Sequence, residues 1–232
     1  MSDYGRSSAG GRAVLAVALL VFALGTEGNV VQAQLITVGF ECVTPGASAE
    51  NIATGEQQLW LDVYKHDGEE IAHFTFRNVG LMPSSIADIY IQDGQLCELL
   101  FIIDKDDPVG GPYGDPGVDF EIGATPGNLP GGQYADPPFV ATKRFSMDSD
   151  PPVSQWGIDP GEQLEAVYSI APDKTVYDIE QEILAGALRI GYHVQSFGDG
   201  DSASFVNTPE PASLLLLGLG SLFFLKKSRK KH

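Results

Sequence analysis

Between its two ends the chain alternates apolar and polar residues with a period of two. In Gln57 to Lys65, Leu59, Leu61 and Val63 are separated by Trp60, Asp62 and Tyr64; in Ile71 to Arg77, Ala72, Phe74 and Phe76 share one side. Successive strand side chains point to opposite faces, so this period predicts half-buried strands. Asp67-Gly68 joins the two runs as a hairpin turn, and Asp93-Gly94 joins Ser85–Ile91 to Gln95–Ile103 in the same way. Leu35 to Glu41 opens the series, and Val118–Ile122, Phe139–Phe145, Gln163–Ile170, Leu188–Ser196 and Ala203–Val206 continue it. Short strands punctuated by Gly and Pro predict a mainly β fold: a two-sheet antiparallel β-sandwich, jelly-roll-like. No repeat of fixed period is evident.

One segment follows the helical period instead. Thr175-Val-Tyr-Asp178 has the form of a capping box, Gly186 is placed to stop the helix, and Val176, Ile179, Ile183 and Leu184 fall on one face. Asp178, Glu180 and Glu182 face outward. This short helix covers an edge or an end of the sandwich.

At both ends the alternation gives way to unbroken apolar runs. Arg6 and Arg12 precede an apolar stretch from Ala13 to Gly25, and Val31-Gln32-Ala33 places small residues three and one before a cut. That pattern reads as a secretory signal peptide over 1–33, cleaved between Ala33 and Gln34 by the secretion machinery. At the other end Pro209-Glu210-Pro211 leads into an apolar run from Ala212 to Leu225, closed by Lys226, Lys227, Arg229, Lys230 and Lys231. The prolines hold the backbone extended, as a processing enzyme requires. The run spans roughly 21 Å as a helix against about 30 Å of hydrocarbon, short for a transmembrane helix, but snorkelling lysines and bilayer thinning accommodate it. The basic end stays cytoplasmic, which places the body across the membrane.

The triplet, the apolar helix with Leu217-Gly-Leu-Gly220 and the basic cluster together resemble the PEP-CTERM sorting signal. The only departure is Thr208, where Val is frequent. The resemblance implies a Gram-negative bacterial protein exported across the inner membrane, anchored by its tail and processed by exosortase, a membrane-embedded Cys-dependent enzyme. It also implies a link to exopolysaccharide and biofilm. The segments Phe74–Leu96, Asp148–Leu164 and Leu188–Asn207 resemble a recurring body type among such proteins, without supplying an activity. The domains are therefore a signal peptide (1–33), a β-sandwich body (34–207) and a sorting tail (208–232).

Charge narrows the partners. The 232-residue chain has a net charge of −17, with 31 acidic and 14 basic residues; three of the acidic and seven of the basic ones lie in the two ends. The body is left with 28 against 7, near −21. Such a surface excludes nucleic acid and anionic headgroups as partners, and favours solubility and loose association with divalent cations. Cys42 and Cys97 allow one disulfide in an exported protein or two buried thiols, and neither has a CxxC partner.

Catalytic patterns are missing. His66, His73, His193 and His232 form no HExxH, and there is no GxSxG elbow, P-loop or GxGxxG run. The strand histidines read as structural, and no residue is assigned a catalytic role. Calcium is the one cofactor the loops suggest: Asp104-Lys-Asp106-Asp107, Asp148-Ser-Asp150 and above all Asp199-Gly-Asp201 set hard oxygen ligands in tight turns, but none has EF-hand spacing. The Asp/Gly/Pro-rich stretch from Asp104 to Pro138 carries Tyr113 and Tyr134, whose rings suit stacking on sugars. The reading is a structural or binding component of the cell surface or matrix rather than an enzyme. A secreted polysaccharide hydrolase and a calcium-bridged polymer-binding module are the alternatives.

Overall fold

The computed structural model describes residues 32–66, 71–93, 97–104 and 117–207. Residues 1–31 of the expected signal peptide and the sorting tail lie outside these, as do Gly68 and Gly94 of the two expected turns.

Among the described residues the fold is mainly β and antiparallel throughout, with ten strands in one hydrogen-bonded order: β5-β8-β3-β2-β1-β10-β9-β4-β7-β6. The strands are β1 (Gln32–Cys42), β2 (Leu59–His66), β3 (Ile71–Asn78), β4 (Ser85–Gln92), β5 (Cys97–Ile103), β6 (Phe120–Ile122), β7 (Met147–Ser149), β8 (Gln163–Ile170), β9 (Arg189–Gln195) and β10 (Ala203–Asn207). The two-sheet, jelly-roll-like sandwich expected from the sequence is replaced by one continuous ladder, because β1 serves both halves. Its first part, through Gly39, pairs with β2, and Phe40 to Cys42 pair with β10. The sheet then folds over one interior and nearly closes: the Phe120 backbone N–H, on one outer strand, donates to Asp104 Oδ2, just past the other, at 3.2 Å.

The alternating positions explain that interior. Leu59, Leu61, Val63, Ala72, Phe74 and Phe76 from one half meet Ile89, Ile190, Tyr192, Val194 and Phe205 from the other in a single buried cluster. Phe40 stacks on Tyr192 at 4.0 Å between ring centroids, and Phe74 meets Tyr168 edge-on at 4.7 Å. The amphipathic helix is also present, as α3 (Val176–Leu184; α1 and α2 are given below). The Asp178 carboxylate accepts from the Thr175 backbone at 2.6 Å, Val176, Ile179 and Ile183 are buried, and Gly186 ends the helix at φ 69°. Leu184, expected on the buried face, is exposed, because Ile183 already fills that side at the last turn.

Three further expectations are corrected. First, β4 and β5 do not form a hairpin: β4 pairs with β9 and β7, while β5 pairs with β8 at the opposite end of the order. A reversal signal fixes where the chain turns, not which strand receives its ladder; here the chain crosses from one half to the other. Second, Phe139–Phe145 is not a strand. Phe139 packs on the outer face of one half and Phe145 in the interior. The backbone between them bonds to side chains, Val140 to Gln92 at 3.0 Å and Ala141 to Asn128 at 2.7 Å, and ends in a 3₁₀ turn. Third, Cys42 is a free thiol, its Sγ 3.9 Å from the Thr44 carbonyl, so it forms no bridge to Cys97. Cys97 sits on β5, four strands from β1 in the ladder.

Two helices and a strand escaped the pattern. Beside β7 and the four-residue α2 (Val153–Trp156), α1 (Ala49–Gln58) has no apolar stripe and buries Asn51, Thr54, Gly55 and Gln58. Ser48 caps it, accepting from Asn51 N at 3.1 Å. Gly55 lies so close to Phe205 that a Cβ there would sit 2.2 Å from the ring. From its last turn the Gln58 side chain holds the next loop: Oε1 accepts from Leu81 and Met82 N at 3.0 and 2.8 Å, and Nε2 donates to Met82 O at 3.0 Å.

Candidate functional site

The register sets where the tail leaves the body. Val206 stands opposite Gly191, so β10 ends level with the start of β9 and the end of β4, at the α3 side of the sheet. There Glu41, Cys42, Thr44, Tyr134, Asp136, Arg189 and Asn207 line an open groove of about 600 Å³.

Its wall is built by the loop that the sequence marked as long. Leu129, Ala135 and Phe139 pack on Tyr90 and Val206 as a second small core on the outer face of the sheet. The loop approaches closely because β9 carries Gly191 there, where a Cβ would meet Leu129 at 2.8 Å. Arg189 pins the far side: its guanidinium donates to Pro137 O at 2.7 Å and lies over the Phe139 ring. Burial draws its pKa below the usual arginine value. Gly131, at φ 73°, turns the chain into the 3₁₀ turn Gly132–Tyr134, which leaves Tyr134 62 % exposed on the groove.

Asn207 closes the floor. It is 2 % exposed, its Oδ1 accepts from Ile190 N at 2.6 Å, and its Nδ2 is a buried donor with no acceptor. An unsatisfied buried amide donor is costly, and a ligand oxygen is one way to satisfy it. The groove's other polar wall is acidic: Glu41 and Asp136 are exposed. Burial raises the Cys42 thiol pKa, so the thiol stays protonated and unreactive.

Two histidine–carboxylate pairs lie elsewhere. His73 Nδ1 is 2.5 Å from Glu165 Oε1, across β3 and β8, and His73 stacks on Tyr64. On the other half His193 Nδ1 lies 2.8 Å from Asp88 Oδ2, and Asp88 stands opposite Asp148. Both strand histidines are thus held by carboxylates. His66 is the last residue of β2, and His232 lies in the tail, outside the described residues.

Asp199, the calcium candidate, sits between β9 and β10 and accepts twice from Asn51 Nδ2, at 2.9 and 3.0 Å, and from Ser48 and Asp201 N. The Asn51 amide, first among these donors, lowers its pKa. Its oxygens tie α1 to the β9–β10 turn, while Asp201 is exposed. Among the described residues no three His, Cys, Asp or Glu side chains form a metal cluster. Ala33 and Gln34 lie inside β1, opposite Lys65 and Tyr64, so the expected cut would trim its first two residues. Tyr113, Asp106, Asp107 and the sorting residues Pro209, Glu210, Pro211, Lys226, Lys227, Arg229, Lys230 and Lys231 lie outside the described residues. Among those that are described, no helix is long and apolar enough to cross a membrane.

Pattern reading singled out Tyr134 but not Arg189 or Asn207. Each is a lone polar residue in a strand, and only the fold brings them to one groove.

Residues 207–230 match the family model of the PEP-CTERM protein-sorting motif. No curated protein and no solved structure matches the chain. The motif implies export, a tail that holds the protein at the membrane, and exosortase as the processing enzyme. The chain thus carries a PEP-CTERM protein-sorting motif, which begins at the last residue of β10.

Proposed function

We propose that the body is a non-catalytic binding module that the sorting route displays at the cell surface or in the extracellular matrix, where it holds exopolysaccharide in the biofilm. The observation that carries this reading is the groove, in which exposed Tyr134 stands with the unpartnered Asn207 Nδ2. A ring offers a flat apolar face to a sugar, and a buried donor offers a fixed hydrogen bond to a hydroxyl or carbonyl oxygen. Glu41 and Asp136 add negative charge, so the groove favours neutral or amine-bearing polymers over uronate-rich ones.

Binding is preferred to hydrolysis because the chain carries none of the HExxH, GxSxG or other catalytic patterns. The reading calls on no cofactor; Asp199 is held by the Asn51 amide.

The test is affinity of the exported protein for polysaccharide from its own host, with Tyr134→Ala beside the wild type. A loss of roughly tenfold or more in the variant, at unchanged thermal stability, supports the reading. Full binding by the variant overturns it, and release of new reducing ends by the wild type favours the hydrolase.

A further inference from the structure

Donors and acceptors are segregated in the groove. Arg189, in its lining, is 5 % exposed and forms no ion pair with a described carboxylate. All its hydrogen bonds leave from Nη1, to Pro137 O at 2.7 Å, Pro138 O at 3.4 Å and Gln92 Oε1 at 3.5 Å. Its Nε and Nη2 are therefore donors without an acceptor among the described residues, and the buried Asn207 Nδ2 is another. The acceptors beside them are spent: Asn207 Oδ1 receives the Ile190 N–H, and Pro137 O receives the guanidinium. At the rim the sign reverses, because Glu41 and Asp136 are exposed carboxylates that pair with no described cation.

A floor made of donors calls for an oxygen that brings no proton of its own. A hydroxyl would bury a proton with nothing to accept it. A carboxylate would enter past two like charges, and Arg189 needs no second anion, since three oxygens and the Phe139 ring already face its charge. A neutral amide carbonyl meets the floor without either cost. The rim takes the opposite group, an ammonium.

Resting on the binding reading above, we infer that the groove selects a polymer of amino sugars that is N-acetylated on some sugars and carries free amines on others. An acetamido carbonyl accepts from Arg189 and Asn207 Nδ2, a protonated amine elsewhere on the chain pairs with Glu41 or Asp136, and Tyr134 supplies the face for a sugar ring. A fully acetylated chain leaves the rim unpaired, and a fully deacetylated one leaves the floor donors unpaired.

The experiment measures binding of the exported protein to glucosamine oligomers of one length, N-acetylated on all, half or none of their sugars, and to an oligouronate. A mildly acidic buffer of low salt keeps the sugar amines protonated. The half-acetylated oligomer should bind tightest: about two- to fivefold tighter than the fully acetylated one, the scale of exposed ion pairs. It should bind about tenfold tighter than the deacetylated one, which has no carbonyl for the buried donors. Glu41→Gln combined with Asp136→Asn should erase the first margin, and a margin that survives in this variant overturns the inference. Affinity that rises steadily with amine content also overturns it, because the acidic body then attracts any polycation. So does an oligouronate that binds more tightly than the fully acetylated oligomer, because the floor then takes a carboxylate. Binding of host polysaccharide but of no glucosamine oligomer overturns the inference and leaves the binding reading standing. Failure to bind host polysaccharide overturns the reading itself.

Discussion

Asp148 stands directly opposite Asp88 on the neighbouring strand, and their carboxyl groups hydrogen-bond to each other. Two neighbouring carboxylates cannot both hold a charge cheaply, so Asp148 gives up its proton at a higher pH than an ordinary aspartate. Burial first, then the charge of Asp88, push Asp148 up to about 6, with Asp150 adding to the rise and the Thr125 N–H opposing it. His193 holds the other side of Asp88 at 2.8 Å.

A pH dependence follows from that pair. Asp148 is raised above its ordinary value of 3.8, so the folded state binds the proton more tightly than the unfolded chain. Its stabilisation is complete below about 4 and is lost as pH rises toward about 6. Asp148→Asn donates the same hydrogen bond at every pH. Melting temperatures at pH 4.5 and 7.5 should then show a smaller fall in the variant than in the wild type; an unchanged fall would place the titration elsewhere.

Gly55→Ala reverses an ordinary rule. In an exposed helix interior this change stabilises by about 1 kcal/mol. Here the new Cβ would stand 2.2 Å from Phe205, whose ring belongs to the main core and cannot swing aside. The expected outcome is a loss of about 1–3 kcal/mol in denaturant unfolding. A gain would mean that α1 does not press on β10.

Gln58→Ala removes the side chain that organises the loop after β3. Leu81 and Met82 lose the acceptor for their N–H groups, and Asn78 and Ser84 lose a shared partner. A loss of about 2–4 kcal/mol is expected, with faster amide exchange at Leu81 and Met82. Exchange that does not change would show that the loop stands without Gln58.

These polar anchors mark the limit of what pattern reading reaches. Leu59, Leu61 and Val63 announce β2 because burial on one face imposes a period of two, and α3 is legible because Val176, Ile179 and Ile183 impose the helical one. Helix α1 has no such period, since Asn51, Thr54 and Gln58 are buried through hydrogen bonds and Gly55 through closeness to an aromatic ring. Strand partners are set across the whole sheet, so the turn signal at Asp93 misled about β4 and β5 while correctly marking where β4 ends. At the groove Tyr134 stood out as an aromatic in a polar loop. Asn207 acquires meaning only through its place opposite β9 and beside Tyr134.

The free Cys42 has a direct chemical consequence. Alkylation of the unfolded, unreduced protein should modify both cysteines, and the folded protein should react slowly at Cys42, which is half-buried and has a raised pKa. A mass showing two protected sulfurs before reduction would establish the bridge.

The sorting route is tested most directly by the intact mass of the mature protein recovered from its host, with and without exosortase. The expected result is a chain ending near Pro209–Pro211 only when the enzyme is present, with the basic tail retained when it is absent. A tail retained in both strains would contradict the account: the body would then be a permanently membrane-anchored domain.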